Sequence, residues 1–319
     1  MKINDYFSST DKILITGGAG FIGTNLANVL SNSNLNITVI DDLSSGEMSE
    51  ILKFPNIKFI KEDIRNIDNY KNILSTSDYI FHLAARNIGN SIANPTDNFD
   101  VNCKATFKIL EFLRINNKKL KRFIYSSSCV TTCPCRRPPI NECDTPNILS
   151  PYAASKYSAE NFCVSYYENY NLPISIVRFS NVYGPYQYIK NYSGIISKIF
   201  NAALNNHIIN IHGDGEQTRD YTFIDDSISA LILVAINNKS IGEVYNIGTG
   251  IETSVNKLVD LIQDILKIKL KVKYIDYRDI DNIRRRVLNV EKIRKDLKWF
   301  PLNSLKNGLN LTYNYYKNI

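Results

Sequence analysis

The chain has 319 residues, 44% of them apolar, and a formal net charge of +7. This length is sufficient for a sizeable core and for one large or two modest domains. The basic residues are scattered, with small clusters at 118–122 and 284–286. No long basic run alternates with aromatic residues, so the composition gives no indication of nucleic-acid binding.

The first residues lack the apolar segment and cleavage pattern of a secretory signal. The longest apolar run, around Ala230–Ile236, is too short to span a bilayer, so no membrane partner is expected. Six cysteines without a secretory signal indicate free thiols in the cytoplasm. The four in CVTTCPCRRPPINEC lack the spacing of paired zinc ligands and have no histidine nearby, so no metal is expected.

The first half of the chain alternates between strand and helix patterns. Short runs rich in Ile and Val predict strands at 12–16, 37–40, 57–60, 79–83, 123–127 and 174–179. Helical patterns lie at 21–30, about 98–116 and after Pro151. This alternation predicts an α/β fold with a Rossmann-type, doubly wound parallel sheet.

After residue 178 the pattern loosens into turn-rich pieces. Helices are predicted near 193–204, 253–267 and 303–317, and YNIGTG is predicted to return to the sheet near residue 245. We therefore expect a Rossmann domain over 1–180 plus about 221–248. A smaller C-terminal substrate-binding lobe is expected from 181–220 and 249–319.

A glycine cluster, TGGAGFIG, directly follows the first predicted strand. Gly17, Gly20 and Gly23 have the spacing that lets a pyrophosphate approach the backbone at a helix N-terminus. Asp41 ends the second strand, where a carboxylate accepts hydrogen bonds from ribose hydroxyls and repels a 2′-phosphate. Asp42 follows, and no Arg or Lys is adjacent in the sequence, so NAD is expected rather than NADP. A glycine turn without a ligand is the alternative.

The stretch SPYAASKYSAENF places Tyr152 four residues before Lys156, on one face of a predicted helix. Alone, this pair is typical of a solvated helix face. Beside a nicotinamide cofactor, the ammonium favours the phenolate, which then removes a proton from a sugar hydroxyl. A serine of FIYSSSC would share that hydrogen bond.

With these motifs, the chain resembles the extended short-chain dehydrogenases/reductases, and within them the NAD-dependent nucleotide-sugar epimerases and dehydratases. The resemblance runs through TGGAGFIG, VIDDLSSG, EDIRN, FHLAA, YSSS, SPYAASK, RFSNVYGP, GDGEQTRDYTFIDD, YNIGTG and LKWFP. It covers nearly the whole chain.

The resemblance implies a role for each matching residue. The catalytic residues would be Ser128, Tyr152 and Lys156. The NAD contacts would be Gly17, Gly20, Phe21, Ile22, Gly23, Asp41, Asp42, Asp63, Ile64, Leu83, Ala84, Ala85, Tyr152 and Lys156. The substrate contacts would be Arg86, Ser128, Asn181, Arg219 and Arg284, with the last two arginines on the diphosphate.

Three departures from the family pattern concern the substrate side. The loop after Ser128 reads CVTTCPCRRPP in place of the usual S-S-A-x-V-Y-G. The segment after FHLAA is short and is expected to place Arg86 near the nicotinamide end. Arg286 lies where related epimerases place a small or aromatic residue, so it either contacts a substrate carboxylate or points outward.

The residues after the catalytic serine separate the reaction types. The 4,6-dehydratases carry Asp-Glu there, whereas this chain has Cys129 and Val130. Valine cannot abstract the C5 proton, which disfavours ordinary 4,6-dehydration. The Cys129 thiol either acts as an acid in an unusual elimination or is a small buried residue.

The resemblance therefore implies a UDP-hexose 4-epimerase that oxidises its substrate transiently to a 4-keto sugar. A nucleotide-sugar dehydratase or decarboxylase of the same fold, and a non-catalytic NAD-binding protein, are the alternatives. Family members commonly pair through the helices that correspond to 98–116 and 152–170, so a homodimer with a four-helix bundle is expected. A role in polysaccharide biosynthesis is also implied.

Overall fold

The computed structural model describes residues 3, 6–132, 138–187, 194–277 and 282–318. The strands are β1 (Lys12–Thr16), β2 (Asn36–Asp41), β3 (Ile57–Lys61), β4 (Tyr79–His82), β5 (Arg122–Ser128), β6 (Ile174–Phe179), β7 (Asn181–Tyr183), β8 (Ile209–His212), β9 (Thr218–Phe223), β10 (Val244–Ile247), β11 (Glu252–Ser254), β12 (Val272–Ile275) and β13 (Arg285–Arg286).

The helices are α1 (Phe21–Ser31), α2 (Met48–Ile51), α3 (Lys71–Thr76), α4 (Ile88–Ala93), α5 (Pro95–Phe99), α6 (Thr106–Asn116), α7 (Pro151–Tyr170), α8 (Ile195–Leu204), α9 (Ile224–Ile236), α10 (Val255–Leu266), α11 (Glu291–Leu297) and α12 (Leu305–Lys317). A turn of π-helix, Asp100–Ala105, joins α5 to α6 and is called the π turn below.

The main sheet has seven strands within the described residues, in the order β10-β6-β5-β4-β1-β2-β3. All of its pairings are parallel. The strand order 3-2-1-4-5-6 is that of a dinucleotide-binding Rossmann sheet, and β10 adds a seventh strand beside β6. The predicted fold class is confirmed.

The central strands are buried because helices cover both faces of the sheet. In β1, Ile13 and Ile15 pack into one hydrophobic cluster with α1 and α9, whereas Leu14 packs into a second cluster with α6 and α7. Successive side chains of a strand point to opposite faces, so the continuous apolar run KILIT fills both layers. The same reason explains why β6 is buried along its whole length.

A smaller set of strands is built around β9. It pairs with β7, β11 and β13, and β8 pairs separately with β12. The strand β9 leads directly into α9, which packs against β5 and β6 of the main sheet. None of the helices within the described ranges is long and apolar enough to cross a membrane.

The helix predicted over 98–116 differs from the structure, which has α5, the π turn and α6 there. Asn102 lies in the π turn and is 1% exposed. Its amide oxygen accepts a hydrogen bond from the Arg86 backbone N–H at 2.8 Å, and its amide nitrogen donates to the Arg86 carbonyl at 3.0 Å. It also donates to the Ser155 hydroxyl at 3.1 Å. The wider turn accompanies these side-chain contacts, which periodicity does not encode.

The carboxylate of Asp226 fixes the C-terminal segment against α9. It accepts hydrogen bonds from the backbone N–H groups of Leu302 and Asn303, at 2.9 and 3.1 Å, and from the Asn303 amide at 3.1 Å. Asp226 is 3% exposed. Its removal leaves these two backbone donors without this acceptor.

We expect Asp226→Ala to lower the free energy of unfolding by about 2 to 3 kcal/mol, because hydrogen bonds to a charged acceptor are lost. Urea unfolding measures this change. The matched control is Asp225→Ala, since Asp225 is exposed on the same helical turn and should change stability by under about 1 kcal/mol. Equal effects of the two variants would contradict the anchoring role of Asp226.

Candidate active site

A first cleft of about 320 Å³ opens at the carboxyl ends of β1, β2, β3 and β4. Its lining residues are Gly17, Gly20, Phe21, Ile22, Gly23, Asp41, Asp42, Ser44, Ser45, Glu62, Asp63, Ile64, Leu83, Ala84, Ala85, Arg86, Asn87, Val101 and Ser126. Ligands of open α/β sheets bind in such crevices beyond the carboxyl ends of the strands.

Two glycines of the loop after β1 are required by close backbone packing. Gly17 has φ of +70°, and a Cβ there would lie 2.5 Å from the backbone of Ala84. A Cβ at Gly23 would lie 2.4 Å from the Gly17 carbonyl oxygen. Larger residues at either position would therefore displace the loop that lines the cleft.

The same loop ends at the N-terminus of α1. Gly20 is the N-cap and provides no side-chain cap, and the first turn contains no acidic residue. The first backbone N–H groups of a helix have no intrahelical acceptor. Together with the positive end of the helix dipole, they form a binding site for a phosphate group.

Asp41 lies at the end of β2, beside this loop. One carboxylate oxygen accepts a hydrogen bond from the Ala19 N–H at 3.0 Å, and the other accepts one from the Leu43 N–H at 2.8 Å. Burial raises the pKa of Asp41, although these two hydrogen bonds oppose the shift. The carboxylate is thus held rigidly, with lone pairs left to accept hydrogen bonds from hydroxyl groups.

Ser128 and Tyr152 meet beyond the carboxyl end of β5. Burial raises the pKa of Tyr152 to about 12, and a hydrogen bond from Ser128 opposes that shift. The phenol is therefore protonated at neutral pH in the chain alone. The phenol needs additional positive charge nearby before it loses its proton and can act as a base.

The start of α7 fixes Tyr152 and Lys156 on one face. The Ser150 hydroxyl caps the helix by accepting from the Ala153 N–H at 3.1 Å, and Pro151 occupies the first helical position. Lys156 is 2% exposed, and its Nζ lies 4.7 Å from the centre of the Tyr125 ring. Burial lowers the pKa of Lys156 to about 8.

A chain of hydrogen bonds runs below these residues through His82. The Thr106 hydroxyl donates to the Asn102 carbonyl at 2.9 Å, so it can only accept from His82 Nε2, at 3.0 Å. His82 Nδ1 then accepts from the Thr16 hydroxyl at 2.8 Å. Burial lowers the pKa of His82 to about 3, with a further contribution from the charge of Lys156, so the ring stays neutral.

A second cleft of about 330 Å³ lies among β7, α8, β9 and the segment before β13. Its lining residues are Ile88, Asn181, Gly194, Ile195, Lys198, Asn210, Ile211, His212, Gln217, Arg219, Tyr221, Val255, Tyr277, Asn282, Ile283 and Arg284. The charged side chains among these lining residues are all basic, which suits an anionic ligand.

The two arginines of the second cleft are held differently. Arg219 donates to the backbone carbonyls of Thr218 and Ile283, at 2.9 and 2.8 Å. Arg284 forms an exposed ion pair with Asp214 at 2.7 Å. Guanidinium groups match the geometry of phosphate oxygens, so both arginines have the chemistry to hold a diphosphate.

The clefts adjoin at the loop after β4. Arg86 and Asn87 line the first cleft, and Ile88 lines the second. Adjacent residues therefore face two different ligand sites.

Residues 13–248 match the NAD dependent epimerase/dehydratase family. The chain belongs to this family. The resemblance inferred from the motifs is thus confirmed, and the name of the family gives NAD as the cofactor.

Curated relatives of the chain include epimerases and dehydratases. A putative UDP-glucose 4-epimerase of Methanocaldococcus jannaschii is 36% identical over 96% of this chain and 98% of that protein. A dTDP-D-glucose 4,6-dehydratase of Dictyostelium discoideum is 33% identical over 96% of this chain and 82% of that protein.

Among solved structures, a UDP-glucose 4-epimerase of Thermotoga maritima with UDP-glucose superposes with a TM-score of 0.91. It is 32% identical, and the match covers 96% of this chain and 99% of that chain. The shared fold therefore extends over both clefts.

The first cleft fits the cofactor of this family. A Cβ on Gly17 or Gly23 would clash with the backbone that shapes the loop beside α1. The Asp41 carboxylate lines the same cleft, where it can accept hydrogen bonds from ribose hydroxyls. The predicted residues that line this cleft are Gly17, Gly20, Phe21, Ile22, Gly23, Asp41, Asp42, Asp63, Ile64, Leu83, Ala84 and Ala85. Their individual contacts with NAD remain predictions.

The predicted substrate residues do not all lie together. Asn181, Arg219 and Arg284 line the second cleft, but Arg86 lines the first, where its guanidinium donates to Asp42 at 2.7 Å. A contact of Arg86 with the substrate stays a prediction. No basic residue adjoins Asp41 and Asp42 along the sequence, but Arg86 pairs with Asp42 in the folded chain.

Sequence patterns missed several residues of the site. Asn102 is a buried polar residue outside every quoted motif, and Lys198 adds a cation to the second cleft. His82 lies within FHLAA, but the motif gave it no role. Arg286, left open above, is buried in β13 and is not among the residues that line either cleft. The unusual segment 133–137 lies outside the described residues.

The buried ammonium of Lys156 predicts a stability effect. Its pKa falls from 10.5 to about 8, which removes about 3 kcal/mol from the free energy of unfolding at pH 7. Between pH 8 and 10.5 the unfolded chain binds the extra proton, so stability rises with pH in that window. We expect Lys156→Met to raise the free energy of unfolding at pH 7 by about 1 to 3 kcal/mol and to remove this rise.

Urea unfolding at pH 7 and pH 9.5 tests the effect of Lys156→Met. Lys119→Met is the control, because Lys119 is exposed and should give no comparable gain. A less stable Lys156→Met variant at pH 7 would mean that contacts of the ammonium outweigh its desolvation.

Proposed function

We propose that the chain is a UDP-hexose 4-epimerase that acts on UDP-glucose/galactose or their N-acetyl forms. The observation that carries this proposal is that the Ser128 hydroxyl at the end of β5 lies close enough to the Tyr152 phenol to lower its pKa. The neighbouring β4 ends in the loop where a dinucleotide cleft adjoins a basic cleft. A phenol in this region can exchange a proton with a sugar whose diphosphate is held in the second cleft.

When bound, NAD supplies the acceptor and then the donor of the hydride at C4 of the sugar. Tyr152 removes the proton from the 4-hydroxyl and later returns one to the oxygen at C4. The Ser128 hydroxyl would donate to the Tyr152 oxygen, which opposes the rise in the Tyr152 pKa. Lys156, charged and buried on the same helix face, favours the phenolate form.

The second cleft would hold the nucleotide diphosphate through Arg219 and Arg284, with Asn181 contacting the substrate. Because the grip would be on the diphosphate, the 4-keto sugar would be free to present its other face. We assign NAD binding to residues 1–180 and about 221–248. Substrate binding is assigned to residues 181–220 and 249–319.

The residues after Ser128 favour epimerisation over dehydration. Cys129 is 4% exposed, and Val130 follows it, so neither position provides a carboxylate to abstract a C5 proton. Elimination or decarboxylation is the second candidate, because Cys129 lies close enough to Tyr152 to affect its pKa. The masses of the products distinguish the two functions.

We expect Tyr152→Phe to lower the turnover of UDP-hexose about a thousandfold, because the proton acceptor is lost. The assay is mass spectrometry with proton NMR on a panel of UDP-hexoses without added NAD. A new sugar of unchanged mass supports the epimerase. The matched control is Tyr157→Phe, five residues further along α7, which should retain full activity.

Two results would contradict the proposed function. A product lighter by water or carbon dioxide would establish elimination or decarboxylation and would direct attention to Cys129. No turnover of any nucleotide sugar by a chain that binds NAD would favour a non-catalytic NAD-binding protein.

The outer face of α6 and α7 supports a homodimer. Phe107 and Phe162 are 37% and 38% exposed, and their ring centres are 5.0 Å apart. Further exposed apolar residues of these helices are Ile115, Val164 and Tyr170. A two-fold axis beside this face would cover it with the same helices of a second copy, forming a four-helix bundle.

Light scattering at micromolar concentration is expected to give the mass of a dimer. Phe162→Asp should shift it to the monomer mass, because a charge would be buried in the interface. Lys108→Asp on the same helix pair introduces a carboxylate at an exposed lysine and is the control. A monomeric wild type would contradict the dimer.

The compartment and pathway are also part of the proposal. Cys103, Cys143 and Cys163 are free cysteines, which is typical of a reducing cytoplasm. A supply of sugars for polysaccharide biosynthesis is consistent with a UDP-hexose epimerase.

A further inference from the structure

A charged side chain spans the rim of the first cleft. Arg86 donates from Nη2 to Asp42 at 2.7 Å, from Nε to Asp97 at 2.9 Å, and from Nη1 to the Ser44 hydroxyl. The side chain of Arg86 is 16% exposed and that of Asp42 is 26% exposed. The ion pair is thus accessible to solvent at the edge of the cleft.

The strand order shows what this ion pair crosses. Arg86 follows β4, whereas Asp42 and Ser44 follow β2, and β1 lies between these strands. Neighbouring strands are about 4.8 Å apart, so β4 and β2 are separated by about 10 Å. The side chains of Arg86 and Asp42 bridge this distance over the carboxyl end of β1. That end carries the glycine loop and the N-terminus of α1, where the phosphate site was located.

The two ends of the contact are held unequally. On the β4 side, Asn102 pairs with both backbone groups of Arg86, and Asp97 accepts from its side chain. On the β2 side, only the side chains of Asp42 and Ser44 receive the guanidinium in the described structure. A change of the Arg86 rotamer would therefore break its contacts with Asp42 and Ser44 while the Arg86 backbone stays fixed.

We propose that Arg86 is a latch across the dinucleotide cleft, which must open for NAD to enter or leave. The proposal rests on the proposed function, because an epimerase regenerates its cofactor in each cycle and gains from keeping it bound. Arg86 is thus a positioning residue for the cofactor rather than a substrate ligand.

The latch makes a kinetic prediction that an ordinary binding contact does not. Since it is closed in the free chain, it slows entry as well as exit. We expect Arg86→Gln to raise both the association and the dissociation rate of NAD about tenfold. The dissociation constant should change less than about threefold, because the two rates change together.

Stopped-flow exchange with the fluorescent analogue etheno-NAD measures both rates. The charge-matched control is Lys53→Gln, since Lys53 forms an exposed ion pair with Glu50 away from the cleft and should leave both rates unchanged. Asp97→Asn is the second variant. It loosens the β4 side without changing a residue that lines the cleft, and should raise both rates to a smaller extent.

An increase in the dissociation rate alone would overturn the latch and make Arg86 a simple contact of the cofactor. Unchanged rates in both Arg86→Gln and Asp97→Asn would also overturn it. The exchange assay contains no nucleotide sugar. A chain that shows the latch kinetics but converts no UDP-hexose would refute the proposed function and leave the latch intact.

Discussion

The side-chain amide of Asn102 is the contact on which the arrangement of the active site depends. It pairs with the backbone of Arg86 on one side and with the Ser155 hydroxyl on the other. Ser155 lies on α7 between Tyr152 and Lys156, whereas Arg86 lies in the loop that separates the two clefts. Asn98 makes a parallel link, since it accepts from the Ser155 hydroxyl at 2.8 Å and donates to the Asn87 carbonyl at 3.2 Å. The buried amides thus tie α7 to the loop at the rim of the first cleft. Such a group is stabilising only when its hydrogen bonds are made, so the π turn and the site form together.

The buried ionisable groups of the site lower the stability of the fold. Burial disfavours the charged forms of both Tyr152 and Lys156, so the pKa of the phenol rises and that of the ammonium falls. His82 is kept neutral beside them by the same desolvation. Positive charge in this region is therefore scarce, and any added cation has a strong effect on the phenol because the surroundings screen it poorly. In the proposed mechanism, the stability lost at Lys156 accompanies the placing of a buried ammonium on the same helix face as Tyr152.

Much of the fold could be predicted because its signals are local. The strand bounds of KILIT and ISIVRF agree with β1 and β6, since a continuous apolar run between turn signals is typical of a buried parallel strand. The glycine loop and Asp41 were predictable because their spacing reflects a fixed strand–loop–helix geometry. The short strands β7 and β13 were not predicted, because two or three residues carry no measurable periodicity.

The parts of the site that sequence patterns missed depend on contacts between distant segments. Arg86 and Asp42 are far apart in the chain, and only the strand order brings them together. The π turn was predicted as ordinary helix because the contacts that accompany it join Asn102 to the distant residues Arg86 and Ser155. Side-chain hydrogen bonds of this kind leave no trace in hydrophobic periodicity, so a motif search finds the ligands of a site more readily than the residues that align them.

The position of β10 late in the chain has a consequence for folding during protein synthesis. This strand completes the main sheet beside β6, yet the chain between the two strands builds β7, β8, β9, α8 and α9. During synthesis β6 therefore remains a bare sheet edge until the ribosome has released the segment through residue 247. Unpaired parallel edges are prone to wrong association, and contacts of long sequence separation form slowly. Nascent chains that pause in this interval should be the ones that depend most on chaperones.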